Sequence, residues 1–326
     1  MGSFFYACTV KTIAWFRFLH KVWSWLPKVS LPLGLIYILW KCWGFSTPDN
    51  LWEEAKEQTG GLWISFAWLV LLMLLNWFLE ITKWWLALQK GGMPSQTISS
   101  ASKGVLAGLS IGLFSPNRVG EFAGRLGVLS PEDRKNGFWL NLLCNLPQLL
   151  ATVAIGLGPC LHLYRWVSGA GSLAITGLLL IAAGIICFFL PSLLAKIQLL
   201  SSILPDEQPE MKKVMLPLWF LSIIRYACFS LQFALVLKLV NAPVGWAVMA
   251  TAIPSIFLLI TCIPTMAWSE LGIRASVSSY VLAMYGVDAP RVAVAAFLLW
   301  FLNLALPALI GAIWWYCWPR PQTKGP

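Results

Sequence analysis

Long apolar runs separated by short polar segments dominate the chain, and they predict helices that span a bilayer. Six runs approach the roughly 20 residues that a membrane-crossing helix needs. They cover residues 29–46, 62–88, 137–161, 171–195, 214–239 and 291–317. Tryptophans lie near the ends of several runs, as they do in the interfacial belts of membrane proteins. We therefore predict an all-α polytopic membrane protein with about six full transmembrane spans.

Two further apolar regions, 97–129 and 246–285, are interrupted near the middle by a proline and by charged residues. Pro116 breaks the first region and Pro264 the second, because proline removes a helical hydrogen bond and clashes with the preceding turn. We predict that each region is a Pro-broken re-entrant hairpin of helices, which enters and leaves the membrane on one side. The alternative, in which both regions cross fully, fits the loop charges less well.

The loop charges predict the orientation of the chain. If the two hairpins are re-entrant, most of the Lys and Arg residues lie on one side, and the acidic loop 47–61 lies on the other. Positive loops stay in the cytoplasm, so both termini are predicted there. Residues 1–28 are predicted to be an amphipathic helix on the cytoplasmic membrane surface. Residues 29–317 then form one transmembrane domain, and 318–326 a cytoplasmic tail.

The second half of the chain resembles the first. The motif Glu121-Phe-Ala-Gly-Arg125 and the motif Glu270-Leu-Gly-Ile-Arg274 both have a Glu four residues before an Arg, and they lie 149 residues apart. The prolines before them are 148 residues apart, and the flanking spans repeat at a similar offset. Each half has an odd number of crossings, so the second half is upside down. This pattern predicts an inverted-topology repeat of about 29–161 and about 171–317.

Broken helices inside a membrane are informative about function. They expose backbone polar groups that lipid cannot satisfy, so they are tolerated where they line a site or a cavity. Two inverted hairpins that meet in the middle suggest one central site with alternating access. The competing interpretation is an old duplication with two structural hairpins and no transport.

Charged residues in and beside the broken regions are the candidates for substrate binding, because charges inside a membrane mark function by default. In one interpretation, each motif forms a salt bridge within its own helix at the spacing i, i+4. In the second interpretation, the planar guanidinium groups of the arginines bind a phosphate through paired hydrogen bonds. The positive N-termini of the helices that follow the prolines lie beside them and favour the same anion. Arg225 is added because its span has no obvious local acid. The candidates are Arg118, Glu121, Arg125, Arg225, Glu270 and Arg274.

Uncharged polar residues at a similar depth are cavity candidates, although such residues more often join helices than contact a substrate. They are Asn141, Asn145, Gln148 and Asn303. A ridge of small residues repeats every four positions and predicts close helix packing: Ser100, Gly104, Gly108 and Gly112. Glu80 and Lys83 lie three residues apart near the end of their span, where local pairing and snorkelling toward water explain them.

Composition narrows the class of protein further. Of the 326 residues, 59% are hydrophobic and only 11% are charged, which excludes an ordinary soluble globule. The net charge of +10 is explained by the cytoplasmic loops, so we expect no nucleic-acid partner. The 8 Cys and 2 His form no metal-binding spacing, and no P-loop, GxSxG or HExxH motif occurs. We therefore expect no metal, no cofactor and no catalytic residues.

Two segments carry a resemblance to a known family. Residues 112–125, with Pro116, Arg118, Glu121 and Arg125, and residues 263–274, with Pro264, Glu270 and Arg274, resemble the lysylphosphatidylglycerol synthase transmembrane family. This is the flippase half of the MprF-type proteins, and the likeness extends over roughly 30–317. The second segment departs from the family pattern, since Met266, Ala267 and Trp268 stand where the family tends to have glycines.

The resemblance implies a lipid translocase of the bacterial cytoplasmic membrane that moves aminoacylated or other phospholipids between leaflets. It also implies a stand-alone member without the soluble synthase domain, and hence no aminoacyl-tRNA partner. Two other functions stay open: a proton-coupled transporter of a small polar or anionic solute, and a non-transporting partner of an envelope enzyme. The expected partners are membrane lipids; a homo-oligomer and an envelope-biosynthesis partner are left open.

Overall fold

A computed structural model describes residues 59–113, 115, 118–163, 177, 211–263 and 267–317, and all regular structure in this part of the chain is helical. The helices are α1 (Thr59–Lys90), α2 (Ile98–Gly112), α3 (Gly120–Gly127), α4 (Arg134–Leu163), α5 (Met211–Leu239), α6 (Trp246–Cys262), α7 (Ala267–Ala283), α8 (Ala289–Trp300) and α9 (Leu306–Cys317). A π-helical turn, Phe301–Ala305, joins α8 directly to α9.

Four helical stretches within the described ranges are long and apolar enough to cross a membrane. They are Trp63–Lys90, Arg134–Leu163, Val214–Leu239 and Ala289–Trp314. Each coincides with a predicted span, so the all-helical membrane class and these four spans agree with the sequence pattern. The predicted spans 29–46 and 171–195 lie outside the described residues, except for Gly177, which is helical. The predicted surface helix 1–28 and the tail 318–326 also lie outside them.

Both proline-interrupted regions form pairs of helices. In the first region α2 ends at Gly112 and α3 begins at Gly120; in the second, α6 ends at Cys262 and α7 begins at Ala267. The breaks therefore fall where the sequence predicts them. Pro116 and Pro264 themselves lie outside the described residues.

Glycines allow α2 and α3 to pack at very short range. A Cβ atom at Gly124 of α3 would lie 2.3 Å from the backbone nitrogen of Gly108 in α2. A Cβ at Gly108 would lie 2.9 Å from the carbonyl oxygen of Glu121, and one at Gly112 would lie 2.7 Å from the Glu121 side chain. The predicted packing role of the small-residue ridge is confirmed at these positions. This contact fixes α3, which carries Glu121 and Arg125, against α2.

The long helices pack across the two halves of the chain. Helix α1 packs against α5, α4 packs against α6, and α9 packs against α2. A Cβ at Gly156 of α4 would lie 2.7 Å from the carbonyl oxygen of Pro254 in α6. A Cβ at Gly311 of α9 would lie 2.4 Å from the carbonyl oxygen of Leu106 in α2. In the contacts of α4 with α6 and of α9 with α2, the last span of one half meets the broken region of the other.

Candidate functional site

A cavity of about 500 Å³ lies among the helices, and both broken regions contribute to its wall. Its charged lining residues are Glu80, Arg118, Glu121, Arg125, Arg225, Glu270 and Arg274. Apolar side chains cover much of the remaining wall, among them Leu106, Leu109, Phe257, Leu299 and Trp300. The two Glu/Arg motifs, which are distant in sequence, thus face one shared space.

The carboxylate of Glu80 is the centre of a buried charge cluster. Lys83 Nζ lies 2.9 Å from Glu80 Oε2, and Arg225 Nη1 lies 2.6 Å from the same oxygen. Arg125 Nη2 pairs with the other oxygen, Oε1. The side chains of Glu80, Lys83 and Arg125 are only 8%, 1% and 3% exposed. One acid from α1 therefore joins cations from α1, α3 and α5.

Neighbouring residues hold the two arginines of this cluster in place. Arg125 Nη1 donates a hydrogen bond of 3.0 Å to Asn141 Oδ1, and its guanidinium lies 5.5 Å from the centre of the Trp84 ring. Arg225 Nε donates to Asn76 Oδ1 at 2.8 Å, and its guanidinium lies 5.4 Å from the Phe229 ring. Hydrogen bonding and stacking on an aromatic face both suit the flat guanidinium.

The two Glu/Arg motifs pair differently. In α7, Arg274 donates to Glu270 Oε1 from Nε at 2.9 Å and from Nη2 at 2.6 Å, as the i, i+4 spacing predicts. In the first motif the ion pair of Glu121 is with Arg118, at 2.6 Å from Nη2. Arg125 pairs with Glu80 instead, so the interpretation of the motif as an intrahelical bridge does not hold there. The reason is the depth of Arg125, which is buried against α1 and α4.

The backbone around Arg118 is unusual. Arg118 has φ of 57°, in the left-handed region that few residues other than glycine adopt. Its carbonyl accepts a hydrogen bond from Glu121 N at 2.9 Å, and the Ser115 hydroxyl accepts one from Gly120 N at 2.7 Å. These bonds satisfy two backbone N–H groups at the start of α3. Strained conformations of this kind persist at functional sites, where the surroundings hold them in place.

Nearly all of the sequence candidates meet at the cavity. All six charged candidates line it, as do Asn145, Gln148 and Asn303. Asn141 does not: it is fully buried beside Arg125, so its prediction as a cavity residue is corrected to a support for that arginine.

Asn303 belongs to a chain of hydrogen bonds between helices. Asn76 Nδ2 of α1 donates to Asn303 Oδ1 at 2.9 Å, and Asn303 Nδ2 donates to Gln232 Oε1 of α5 at 2.8 Å. Arg225 joins the same chain through Asn76. Asn303 therefore connects three elements while its side chain also borders the cavity, and it lies in the π-helical turn that often marks functional sites.

Replacing Asn303 by Leu is expected to lower the free energy of unfolding by about 1 kcal/mol, since bonds of this kind in membrane proteins are individually modest. Thermal unfolding of the purified protein measures the change. The matched control is Gln148→Leu, which also replaces a cavity amide, but one whose Oε1 has no hydrogen-bond partner in the structure. Equal losses in the two variants would contradict a bonding role for Asn303.

Sequence reasoning missed Glu80 and Lys83 as site residues. Both are buried, so snorkelling toward water is wrong for them, although the local pair between them does form. Glu80 lies ten residues before the end of α1 at Lys90, or about 15 Å along the helix. That depth, together with the unpaired Arg225 in another span, was the signal that the two charges belong together.

The described residues contain no group of three or more His, Cys, Asp or Glu side chains arranged to hold a metal ion. The arrangement can recognise a ligand by fixed charges. Arginine guanidinium groups and side-chain amides lie at one part of the cavity wall, and apolar side chains cover the rest. Comparison with protein-family models and with curated proteins finds no match for the chain. Across the residues that the structure describes, fold and site therefore define an all-helical architecture with four candidate membrane spans and a charged internal cavity.

Proposed function

We propose that the protein is a lipid translocase, similar to a flippase or scramblase, which moves an anionic or zwitterionic phospholipid between the leaflets of a bacterial cytoplasmic membrane. The observation that carries this proposal is the shared cavity, in which charged residues from both broken regions face each other. Glu270 of the second region lies within electrostatic range of Arg118 of the first. One ligand could therefore contact both motifs.

The wall of the cavity suits a lipid better than a small solute. A phospholipid has a charged phosphate joined to apolar chains, and the cavity combines arginines with the leucine and aromatic surface described above. Arginine binds phosphate oxygens through two parallel hydrogen bonds. The resemblance of residues 112–125 and 263–274 to a lipid-flippase family supports the same class of substrate.

The packing of the helices supports an inverted repeat with two re-entrant hairpins. Gly156 of α4 contacts the carbonyl of Pro254, and Gly311 of α9 contacts the carbonyl of Leu106. These two carbonyls are 148 residues apart, which is also the separation of Pro116 and Pro264. The two glycines themselves are 155 residues apart, but the contacts are reciprocal: the last span of each half meets the broken region of the other, as in a duplicated unit packed against its inverted copy. In this proposal both termini are cytoplasmic and access to the site alternates.

The test is reconstitution of the full chain in liposomes, with exchange of fluorescent lipids between leaflets as the readout. Arg118→Ala and Arg274→Ala are each expected to slow exchange about tenfold or more, because each removes a charged hydrogen-bond donor to the head group. Arg134→Ala, at an exposed position at the start of α4, is the matched control and should exchange lipid at the wild-type rate.

Both cavity variants also leave a carboxylate without its partner, so folding is checked by thermal unfolding and size-exclusion chromatography. Arg118→Lys and Arg274→Lys keep the charge but lose the planar fork, and they should retain an intermediate rate. Wild-type protein that exchanges lipid no faster than the Ala variants would overturn the proposal for the lipids tested. Uptake of small anions without lipid exchange would indicate a solute transporter instead.

A further inference from the structure

The charges around the cavity do not balance. Arg118 with Glu121, and Arg274 with Glu270, are matched pairs, whereas Glu80 alone faces Lys83, Arg125 and Arg225. Among the described residues, the site thus has three carboxylates and five cations, an excess of two positive charges. Arginine stays charged in proteins, so the single charge of Glu80 cannot neutralise both Arg125 and Arg225, and Lys83 adds to the excess.

An excess of buried positive charge is costly unless an anion compensates it. Two hydrogen-bonding groups of the arginines that line the cavity are also unused: Arg118 Nε and Arg125 Nε are buried without a hydrogen-bond partner in the structure. Arg125 is only 3% exposed. Two buried acceptors, Gln148 Oε1 and Glu270 Oε2, are unpartnered too.

We propose that the site at Glu80, Arg125 and Arg225 binds a phosphomonoester, whose charge of about −1.5 to −2 at pH 7 matches the excess. It then prefers this group over a phosphodiester with a single charge, and it disfavours zwitterionic and cationic head groups. That the phosphate belongs to a lipid rests on the proposed function. The aminoacylated lipids that the family resemblance implies carry added positive charge, and they are poor ligands for this site.

Binding of defined probes to the full chain in neutral detergent tests the inference. The lipid probes are phosphatidic acid, phosphatidylglycerol and phosphatidylethanolamine with identical short chains, and the soluble probe is inorganic phosphate. Competition against fluorescent phosphatidic acid gives the relative affinities. We expect phosphatidic acid to bind about tenfold more tightly than phosphatidylglycerol, because one added charge at this range is worth at least that factor. Phosphatidylethanolamine should bind most weakly.

Lys83→Met removes one of the excess charges, keeps the side-chain volume and leaves Glu80 paired with two arginines. It should reduce the preference for phosphatidic acid over phosphatidylglycerol about tenfold. Lys90→Met, at the exposed end of the same helix, is the matched control and should keep the wild-type preference. Arg225→Gln also removes one positive charge and is measured in the same way. If one of the two variants fails to fold, the other still tests the inference.

Affinity for phosphatidylglycerol or phosphatidylethanolamine equal to that for phosphatidic acid would overturn the inference, as would an unchanged preference in both Lys83→Met and Arg225→Gln. Lipid exchange in liposomes separates it from the proposed function. Selective binding of phosphatidic acid without lipid exchange supports the phosphomonoester site and contradicts translocation. Lipid exchange without a head-group preference supports translocation and contradicts the phosphomonoester site. Competition by inorganic phosphate as strong as that by phosphatidic acid would support the phosphomonoester chemistry but assign it to a solute.

Discussion

Replacing Glu80 by Gln is expected to destabilise the protein by about 3–5 kcal/mol, the range for breaking a buried ion pair by removing one partner. Glu80 is the common partner of Lys83, Arg125 and Arg225, and the substitution leaves three cations close together with no carboxylate between them. The neutral amide keeps the shape of the side chain, so the loss reports charge rather than packing.

Thermal unfolding of the purified full chain measures this loss, with Glu132→Gln as the matched control. Glu132 is exposed in the segment before α4, so its substitution should be nearly silent. Adding Lys83→Met to Glu80→Gln removes one of the stranded cations and should restore part of the stability. A loss no larger than that of the control, or no recovery in the double variant, would mean that Glu80 does not organise the cluster.

Replacing Gly124 by Leu is expected to cost about 3 kcal/mol, at the upper end of the range for overpacked sites. Even the first carbon of the new side chain would lie 2.3 Å from the Gly108 nitrogen and 2.4 Å from its Cα, and backbone atoms cannot turn aside as a flexible side chain can. Helix α3 would have to move away from α2 and take Arg125 with it. We therefore expect both stability and lipid exchange to fall.

Gly127→Leu is the control on the same helix. An added Cβ at Gly127 meets nothing within 4 Å, and leucine is a better helix former than glycine by roughly 1 kcal/mol. This variant should match or exceed the wild type in thermal unfolding and keep its exchange rate. Similar losses at positions 124 and 127 would show that the α2–α3 contact is not as close as described.

The fold was predictable where the signal is local. A transmembrane span is recognised from the length and apolarity of one continuous segment. Four predicted spans therefore correspond to helices whose ends differ from the predicted ends by only a few residues: 62–88, 137–161, 214–239 and 291–317. The ends of α2 at Gly112 and of α6 at Cys262, each a few residues before the proline of its region, agree with the local effect of proline on a helix. Helical spacing also identified the ridge of Gly104, Gly108 and Gly112, because residues four apart share one face.

The site was predictable only in part, because its centre depends on contacts between distant segments. Arg125 is 45 residues from Glu80, and no local spacing connects them. Because Lys83 lies only three residues away, it explains the charge of Glu80 locally, and the sequence gives no reason to look for the two arginine partners. The first motif shows the same limit of local spacing, because Glu121 stands four residues before Arg125 yet pairs with Arg118. The burial of each side chain decides which partner it binds, and burial cannot be read from sequence spacing.

The ion pair of α7 has both partners on one helix, whereas Arg125 of α3 is bound to a carboxylate on α1. A displacement of α7 carries Glu270 and Arg274 along together and leaves their bridge intact. A displacement of α3 from α1 has to pull opposite charges apart in a buried setting, which is costly. The two broken regions thus differ in their electrostatic connections: a buried ion pair ties α3 to α1, whereas the ion pair of α7 ties that helix to no other element.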